Sequence, residues 1–327
     1  MCVEMRELPR MGAEVGVVGL GTWQFSGARG PADDDRAVAT ITAAVDAGAT
    51  LVDTADVYGD GRSERVIGRY LTDHPLADVF VATKMGQRGG NAPASYHLDN
   101  FRAWTDRSRA NLGMDVLDLV HLHCPPPAVY DDDAVFDALN LLIDEKRITG
   151  YGVSVDTCDQ ALRAIARPGV ASVEIVLNPL RPKPIEHVLP AALAAGVGVI
   201  ARAPLASGLL SGGYDELTAF GDDDHRCVAR RDELPGETFA GLDFHGALTA
   251  VRKLSAVVPP ELTMTQFALR WIIDQPGVTA VIPGASSPQQ ARCNAAAASL
   301  RPLHVEAQMM IAEIYDELIR PQLHHRW

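Results

Sequence analysis

Residues 44–54, AVDAGATLVDT, contain the unit that decides the fold: the end of an amphipathic helix, a glycine that can cap it, and a short apolar strand. The unit recurs in residues 144–155, DEKRITGYGVSV, where we expect Gly150 to separate helix from strand. It recurs again in residues 189–203, LPAALAAGVGVIARA. Alternation of helix and strand at this spacing predicts right-handed crossovers and a parallel sheet.

Eight apolar stretches have strand character, and the chain between them is long enough for one helix each. They are VGVVGL (15–20), LVDT (51–54), VFVAT (79–83), LDLVHL (117–122), YGVSV (151–155), VEIVL (173–177), VGVIARA (197–203) and TAVIP (279–283). Eight parallel strands favour a closed (β/α)8 TIM barrel over a doubly wound open sheet, whose Gly-x-Gly-x-x-Gly loop is missing after the first strand. We therefore expect residues 1–327 to form one barrel domain, with a long insertion after strand seven (205–260) and a helical C-terminal tail.

The composition is that of an ordinary folded protein, with 47% hydrophobic and 22% charged residues. A formal net charge of −13 disfavours nucleic acids and anionic membranes as partners. Because the apolar runs are too short to cross a bilayer and the N-terminus lacks a signal-peptide pattern, we expect a cytoplasmic protein. The five cysteines are scattered and never form CxxC, which predicts reduced thiols. The oligomeric state is not predicted.

Polar side chains with complementary chemistry lie at or just beyond the ends of three neighbouring strands. Asp53 is in the second stretch and is followed by Tyr58, while Lys84 and His123 directly follow the third and fourth. In a barrel of this type, these strand ends carry the active site. An ammonium lowers the pKa of a nearby phenol, a carboxylate can orient the ammonium, and a neutral imidazole can donate to a substrate oxygen. The set predicts a proton donor for a carbonyl, with hydride from a bound cofactor because no side chain supplies it.

Two other interpretations fit parts of this pattern. An ion pair between Asp53 and Lys84 could be purely structural, but it would leave Tyr58 and His123 unexplained. His121 and His123 lie on one face of a strand and, with nearby aspartates, could ligate a metal for hydrolysis. The fifth and sixth strands have no histidine to complete such a site. We therefore expect no metal and interpret His121 as a neutral interior residue.

With these residues in place, the sequence resembles the aldo-keto reductase family. The matching motifs occur in family order over nearly the whole chain: GLGTW (19–23), DTADVYGDGRSE (53–64), ATK (82–84), DLVHLHCP (118–125), GVS (152–154), APLASGLLSG (203–212) and IPGASSPQQARCN (282–294). The resemblance implies an enzyme that reduces an aldehyde or ketone to an alcohol with hydride from NADPH. It implies Tyr58 as general acid, Asp53 and Lys84 as the groups that tune it, and His123 as the group that orients the carbonyl.

The resemblance also implies which residues hold the cofactor. They are Gly21, Thr22, Trp23 and Asp53 bordering cofactor and substrate, Ser154 and Glu174 at the nicotinamide amide, Arg202, Pro204, Leu205, Ser207, Gly208 and Leu209 along the pyrophosphate, and Gly284, Ser286, Gln290 and Asn294 at the adenosine end. The chain departs from the family at Val155, where Asn is usual, and at Glu174, where Gln is usual. Uncharged residues also stand where Lys or Arg often binds a 2′-phosphate. NADP(H) is therefore favoured, and NAD(H) stays open.

The substrate pocket is predicted from the same strand ends. Cys124 stands where many relatives carry tryptophan, which indicates a roomy pocket, and Trp23, Phe25 and Tyr130 are candidates for an apolar wall. We expect a small-molecule carbonyl substrate, and such a pocket could accept a bulky one. A second hypothesis is a cofactor-binding regulatory subunit with little turnover, since some relatives resemble reductases while serving a partner protein.

Overall fold

The computed structural model describes residues 3–27, 34–221, 224, 226 and 238–327. In those residues the strands are β1 (Met5–Leu8), β2 (Ala13–Gly16), β3 (Leu20–Gly21), β4 (Leu51–Asp53), β5 (Phe80–Met85), β6 (Leu117–His123), β7 (Ile148–Ser154), β8 (Val170–Val176), β9 (Gly198–Arg202) and β10 (Ala280–Val281). The helices are α1 (Asp34–Asp46), α2 (Arg62–Asp73), α3 (Leu98–Leu112), α4 (Asp133–Asp144), α5 (Cys158–Ile165), α6 (Pro184–Ala195), α7 (Phe244–Ser255), α8 (Met264–Ile273), α9 (Pro288–Ala295), α10 (Val305–Leu318) and α11 (Arg320–Leu323). Short 3-10 helices lie in the loops at Trp23–Ser26, Gln87–Gly89, Pro93–Ser95, Pro127–Asp131, Ala206–Ser211, Thr238–Gly241, Ala296–Ser299 and His324–Arg326.

Strands β3 to β10 form one parallel sheet in chain order, with helices between them. The first and last strands of this sheet also meet. Parallel bridges join Val18 to Val281 and Gly21 to Gly284, and the Gly19 amide donates to the Val281 carbonyl at 2.9 Å. The sheet therefore curls back on itself. The predicted (β/α)8 barrel is confirmed over the doubly wound sheet.

The N-terminal segment differs from the prediction for residues 15–20. Instead of one barrel strand, β2 pairs antiparallel with β1, and only β3 joins the parallel sheet. Leu8 and Val15 of this hairpin are fully buried against interior side chains of the barrel, among them Leu51, Leu119 and Ile200. The Arg10 side chain, which follows β1, donates to the carbonyls of Val170 at the start of β8 and of Ala195 before β9. The hairpin thus closes the end of the barrel at which the strands begin.

The recurring helix–glycine–strand unit is only partly as predicted. Gly48 after α1 and Gly196 after α6 both have left-handed backbone, with φ of 100° and 65°, as helix-ending glycines often do. Gly150 instead lies inside β7, and the left-handed residue after α4 is Lys146, with φ of 57°. Helix and strand still alternate here, because Lys146 rather than a glycine makes the turn between α4 and β7.

The predicted insertion and tail are present in the part of the chain that the structure describes. The insertion contains two of the 3-10 helices and α7, and Phe220, Phe239 and Phe244 pack against one another with ring centroids 5.2 to 5.8 Å apart. The tail consists of α10, α11 and the final 3-10 helix. Cys2 and Cys227 lie outside the described residues. Among those described, no helix combines the length and apolar character needed to span a membrane.

Candidate active site

Asp53 and Lys84 form a buried ion pair at the mouth of the barrel. Asp53 ends β4, and Lys84 lies near the end of the adjacent strand β5. The Lys84 Nζ donates to both carboxylate oxygens of Asp53 at 2.6 Å and to the Thr54 carbonyl at 3.0 Å. Both residues are nearly inaccessible to solvent, so each charge depends on the other for compensation.

Tyr58 and His123 complete the predicted set. Tyr58 lies in the loop between β4 and α2, and its ring centroid is 5.5 Å from Lys84 Nζ. His123 ends β6, and its ring meets the Tyr58 ring edge-on, with centroids 6.0 Å apart. His123 Nδ1 is buried with no hydrogen-bond partner within the described ranges. The structure therefore brings together all four residues, with Lys84 lying behind the cavity surface and the other three exposed to the cavity.

The protonation states differ from the sequence expectation at Tyr58. Burial is the largest effect and raises the pKa of Tyr58 above its ordinary value. Lys84 lowers that pKa as predicted, but Asp53 and Glu174 oppose it. The expected net lowering is therefore wrong for the protein without cofactor. Burial, with help from Lys84, holds the pKa of His123 well below its ordinary value, so its imidazole is neutral and can donate one hydrogen bond.

His121 lies below this set, in the barrel interior, as the sequence predicted. It is fully buried, its Nε2 is 2.8 Å from the Ser172 hydroxyl, and burial lowers its pKa to about 4. Potential ligand atoms of Asp53, His121 and Glu174 lie within 4.8 Å of one another. The Lys84 ammonium, however, contacts both carboxylates of this group. Lysine thus supplies the positive charge that a metal would otherwise provide.

A cavity of about 1500 Å³ extends from these residues across the strand ends. Most of the predicted binding residues line it: Gly21, Thr22, Trp23, Asp53, Cys124, Glu174, Arg202, Pro204, Leu205, Ser207, Gly208, Gly284, Ser286, Gln290 and Asn294. Ser154 and Leu209 are buried behind its surface. The cavity is large enough for a dinucleotide together with a small molecule.

The substrate side of the cavity is more polar than expected. Phe25 and Tyr130 are buried in the hydrophobic core and do not line the cavity, so they form no apolar wall. Gln87 and Asn91, from the loop after β5, line it instead, and the Asn91 side chain donates to the Cys124 carbonyl at 3.4 Å. Sequence reasoning missed both, although they follow Lys84 and the rule that strand ends carry function would have found them.

The C-terminal tail also reaches the cavity. Trp327 is buried and lines the cavity, with the Arg181 guanidinium 5.0 Å above its ring. Lys183 Nζ donates to the His324 carbonyl at 2.8 Å, and the His324 ring contacts the Tyr315 hydroxyl at 2.7 Å. These contacts fix the end of the chain against the start of α6 and against Tyr315 of α10. His324 thus anchors a wall of the cavity.

The cofactor residues predicted on the far side form two local networks. Arg202 donates to the Val155 carbonyl at 2.7 Å and to the Asp156 carboxylate at 3.1 Å. The Gln290 side-chain oxygen accepts from the Ser286 amide at 2.8 Å, and Asn294 donates to the Gly284 carbonyl at 3.2 Å. Side-chain groups at this end are therefore held in place before any ligand binds.

Comparison with known proteins agrees with this geometry. The family model described as Aldo/keto reductase family matches residues 17–316. The aldo-keto reductase YhdN of Bacillus subtilis (strain 168) is 30% identical over 296 residues, covering 88% of this chain and 86% of that protein. The aldo-keto reductase yakc of Schizosaccharomyces pombe, whose name specifies NADP(+), is 26% identical over 279 residues, covering 83% and 80%. Among solved structures, the glycerol dehydrogenase AKR11B4 from Gluconobacter oxydans matches with a TM-score of 0.79 and 27% identity over 98% of this chain and 97% of that one. The chain therefore belongs to the aldo/keto reductase family of oxidoreductases.

Proposed function

We propose that this protein reduces an aldehyde or ketone to an alcohol, with NADP(H) as cofactor and Tyr58 as proton donor. The observation that carries the proposal is the convergence of Asp53, Tyr58, Lys84 and His123 at one cavity, although they come from three strands and a loop. A structural ion pair would need only two of them.

The cavity fits a dinucleotide on chemical grounds. In the turn after β9, Ala203, Ala206, Ser207 and Gly208 all have left-handed backbone. Turns of this kind create concave backbone whose amides bind anions such as a pyrophosphate. At the other end, the Gln24 Oε1 is buried without a hydrogen-bond partner in the described ranges, and a Cβ at Gly284 would meet the Gln24 side chain. Both features suit a polar ligand lying along the β9 and β10 ends.

The name of the relative yakc supports NADP(H). When bound, the cofactor supplies hydride to the carbonyl carbon. The chain's own residues manage the proton and the carbonyl oxygen. The neutral His123 imidazole donates a hydrogen bond that orients the oxygen, and the Tyr58 hydroxyl delivers a proton to it. Lys84, held by Asp53, stabilises the resulting phenolate.

Tyr58→Phe tests the proposal because it removes only the hydroxyl. We expect kcat/KM for carbonyl reduction to fall by about 10² to 10⁴, the usual contribution of a general acid. The Kd for NADPH, measured by fluorescence titration, should change less than about threefold because the ring remains in place. The assay uses a panel of aromatic aldehydes, hydroxyaldehydes and diketones, with NADPH and NADH compared.

The matched control is Tyr70→Phe. The Tyr70 ring is buried and stacks on His74 with centroids 4.4 Å apart, outside the cavity, so this variant should keep the parent rate. If Tyr58→Phe keeps the parent rate as well, Tyr58 is not the acid. If the parent binds NADPH tightly but turns over no member of the panel, that result favours the second hypothesis, a cofactor-binding regulatory subunit, over a reductase.

A further inference from the structure

Glu174 is a buried carboxylate within β8. The family resemblance places it at the nicotinamide amide, but it is surrounded by charged and polar side chains of the protein. An ionised carboxylate in the interior is costly unless nearby groups compensate its charge. Its oxygens lie 3.3 Å from Lys84 Nζ, 3.5 Å from the Ser154 hydroxyl, 3.8 Å from His121 Nδ1 and 4.0 Å from Arg202 Nε. The nearest cation is therefore the lysine of the proposed catalytic set.

Lys84 is shared by two carboxylates. Its Nζ contacts both oxygens of Asp53 at 2.6 Å and one oxygen of Glu174 at 3.3 Å. One ammonium cannot neutralise two carboxylates, so these three groups carry excess negative charge when all are ionised. The excess is visible in the pKa of Asp53, which burial and then Glu174 raise to about 8 although Lys84 opposes them.

The same charges act on Tyr58. The Lys84 ammonium favours its phenolate, whereas the carboxylates of Asp53 and Glu174 disfavour it. The titratable or charged groups that face the phenol are Asp53 of β4, Lys84 of β5, His123 of β6, Glu174 of β8 and Arg202 of β9. Glu174 thus opposes the effect of the lysine that would otherwise promote loss of the phenol proton.

We propose that Glu174 is a positioning residue that acts on Tyr58 through Lys84: by sharing the ammonium with Asp53, its carboxylate weakens the stabilisation of the phenolate by the lysine and so supports the proton-donating form that burial already favours. This inference rests on the proposed carbonyl reduction. It assigns Glu174 as a residue that controls how readily the proposed acid, Tyr58, loses its proton. Glutamine at this position would have a similar shape but no charge. A carboxylate that only packs against Lys84 would affect stability alone. One that only binds the nicotinamide amide would affect cofactor affinity alone.

The test is a spectroscopic titration of Tyr58 in the protein without cofactor. Phenolate absorbance is followed against pH in the parent and in Glu174→Gln, and subtraction of the same titrations with Tyr58→Phe added isolates this one phenol. We expect Tyr58 to ionise about one pH unit lower in Glu174→Gln, because a like charge has been removed from its surroundings. Glu174→Asp keeps the charge and should titrate close to the parent.

The matched control is Glu64→Gln. Glu64 is equally buried, but its carboxylate accepts from the Thr83 hydroxyl and the Asn111 amide rather than from Lys84. Removing its charge should leave the Tyr58 titration unmoved. If Glu174→Gln does not fold, Asp53→Asn removes the other carboxylate on the same ammonium and must shift Tyr58 in the same direction.

Kinetics provide a second readout. The alkaline limb of kcat/KM for carbonyl reduction should move to lower pH in Glu174→Gln, while the Kd for NADPH changes less than about threefold. If the phenolate absorbance of Tyr58 follows the same curve against pH in the parent and in Glu174→Gln, the inference is overturned, whether Tyr58 ionises in both proteins or in neither. Weaker NADPH binding with an unmoved titration also overturns it and assigns Glu174 to the cofactor. The titration needs no turnover, so a parent that reduces no carbonyl refutes the proposed function without deciding this inference.

Discussion

Lys84→Met should destabilise the protein strongly, because it removes the cation from a buried cluster and leaves two carboxylates behind. The side chains of Lys84, Asp53 and Glu174 are 1%, 5% and 2% exposed, so water cannot replace the ammonium without a rearrangement. Methionine has a similar length, which limits any cavity. The loss is therefore electrostatic, and breaking a buried pair in this way costs about 3 to 5 kcal/mol.

The pH dependence has a definite sign. Without the ammonium, the folded-state pKa values of Asp53 and Glu174 should lie above those in the unfolded chain. The folded protein then holds protons that the unfolded chain has lost, so the free energy of unfolding falls as pH rises through this window. Relative to the parent, Lys84→Met should be least destabilised near pH 5 and most destabilised above pH 8, the value to which the pKa of Asp53 is raised even with lysine present.

Urea unfolding of both proteins between pH 5 and pH 9 measures this difference directly. The triple variant Asp53→Asn, Lys84→Met, Glu174→Gln carries no charge in the cluster and should recover at least half of the lost stability. Its pH dependence should be flatter than that of the parent, because it lacks the raised pKa of Asp53. A Lys84→Met protein within about 1 kcal/mol of the parent at pH 8, with a parallel pH curve, would refute the reasoning. It would mean that the carboxylates gain other partners or water.

Two further changes test the packing and the buried charges elsewhere. A Cβ on Gly152 would lie 2.5 Å from the Ser172 carbonyl oxygen and 2.6 Å from the His121 ring, so Gly152→Ala should cost about 1 to 3 kcal/mol in urea unfolding. Gly221→Ala, whose Cβ would meet no described atom within 4 Å, should stay within about 0.5 kcal/mol, and equal losses would contradict the packing argument. Burial and then Glu64 raise the pKa of Asp56 to about 7, so its proton is held in the folded state up to that pH and stability falls as pH rises toward 7. Asp56→Asn should flatten the stability curve between pH 5 and pH 8, and an unchanged slope would show that other groups cause it.

The fold was predictable because the strand signal is repeated along the chain. Seven of the eight predicted stretches overlap their strands closely, and the alternation with helices admits few topologies. The first stretch was harder to predict, since Val15 and Leu20 belong to one apolar run but to different sheets. What separates them is pairing with β1, whose sequence MREL is too charged to be recognised as a strand by hydrophobicity alone.

The candidate site residues could be predicted from the sequence where they end a strand. The contacts between side chains of non-neighbouring strands, which meet across the barrel, could not. Asp53, Lys84 and His123 are found by reading which polar residue ends each apolar run. The pKa of Tyr58 was predicted in the wrong direction because the ammonium was counted, whereas the burial of the phenol, which is the largest effect, and the second carboxylate were not. No local pattern shows that β8 directs its glutamate at a lysine of β5, since the two strands are not neighbours in the sheet.

The cofactor-side residues that depart from the family pattern lie in one half of the barrel mouth. The ends of β3 to β6 and the loops after them carry Trp23, Tyr58 and His123, whereas Val155 and Gln290 belong to the opposite half, which follows β7 to β10. A change confined to that opposite half could alter cofactor binding and leave proton transfer untouched. Glu174 is different because its carboxylate crosses the barrel to the Lys84 ammonium. At this position a change in the cofactor half must also change the proposed acid, so the pH dependence should vary among variants of Glu174 even where the Kd for NADPH stays within about threefold.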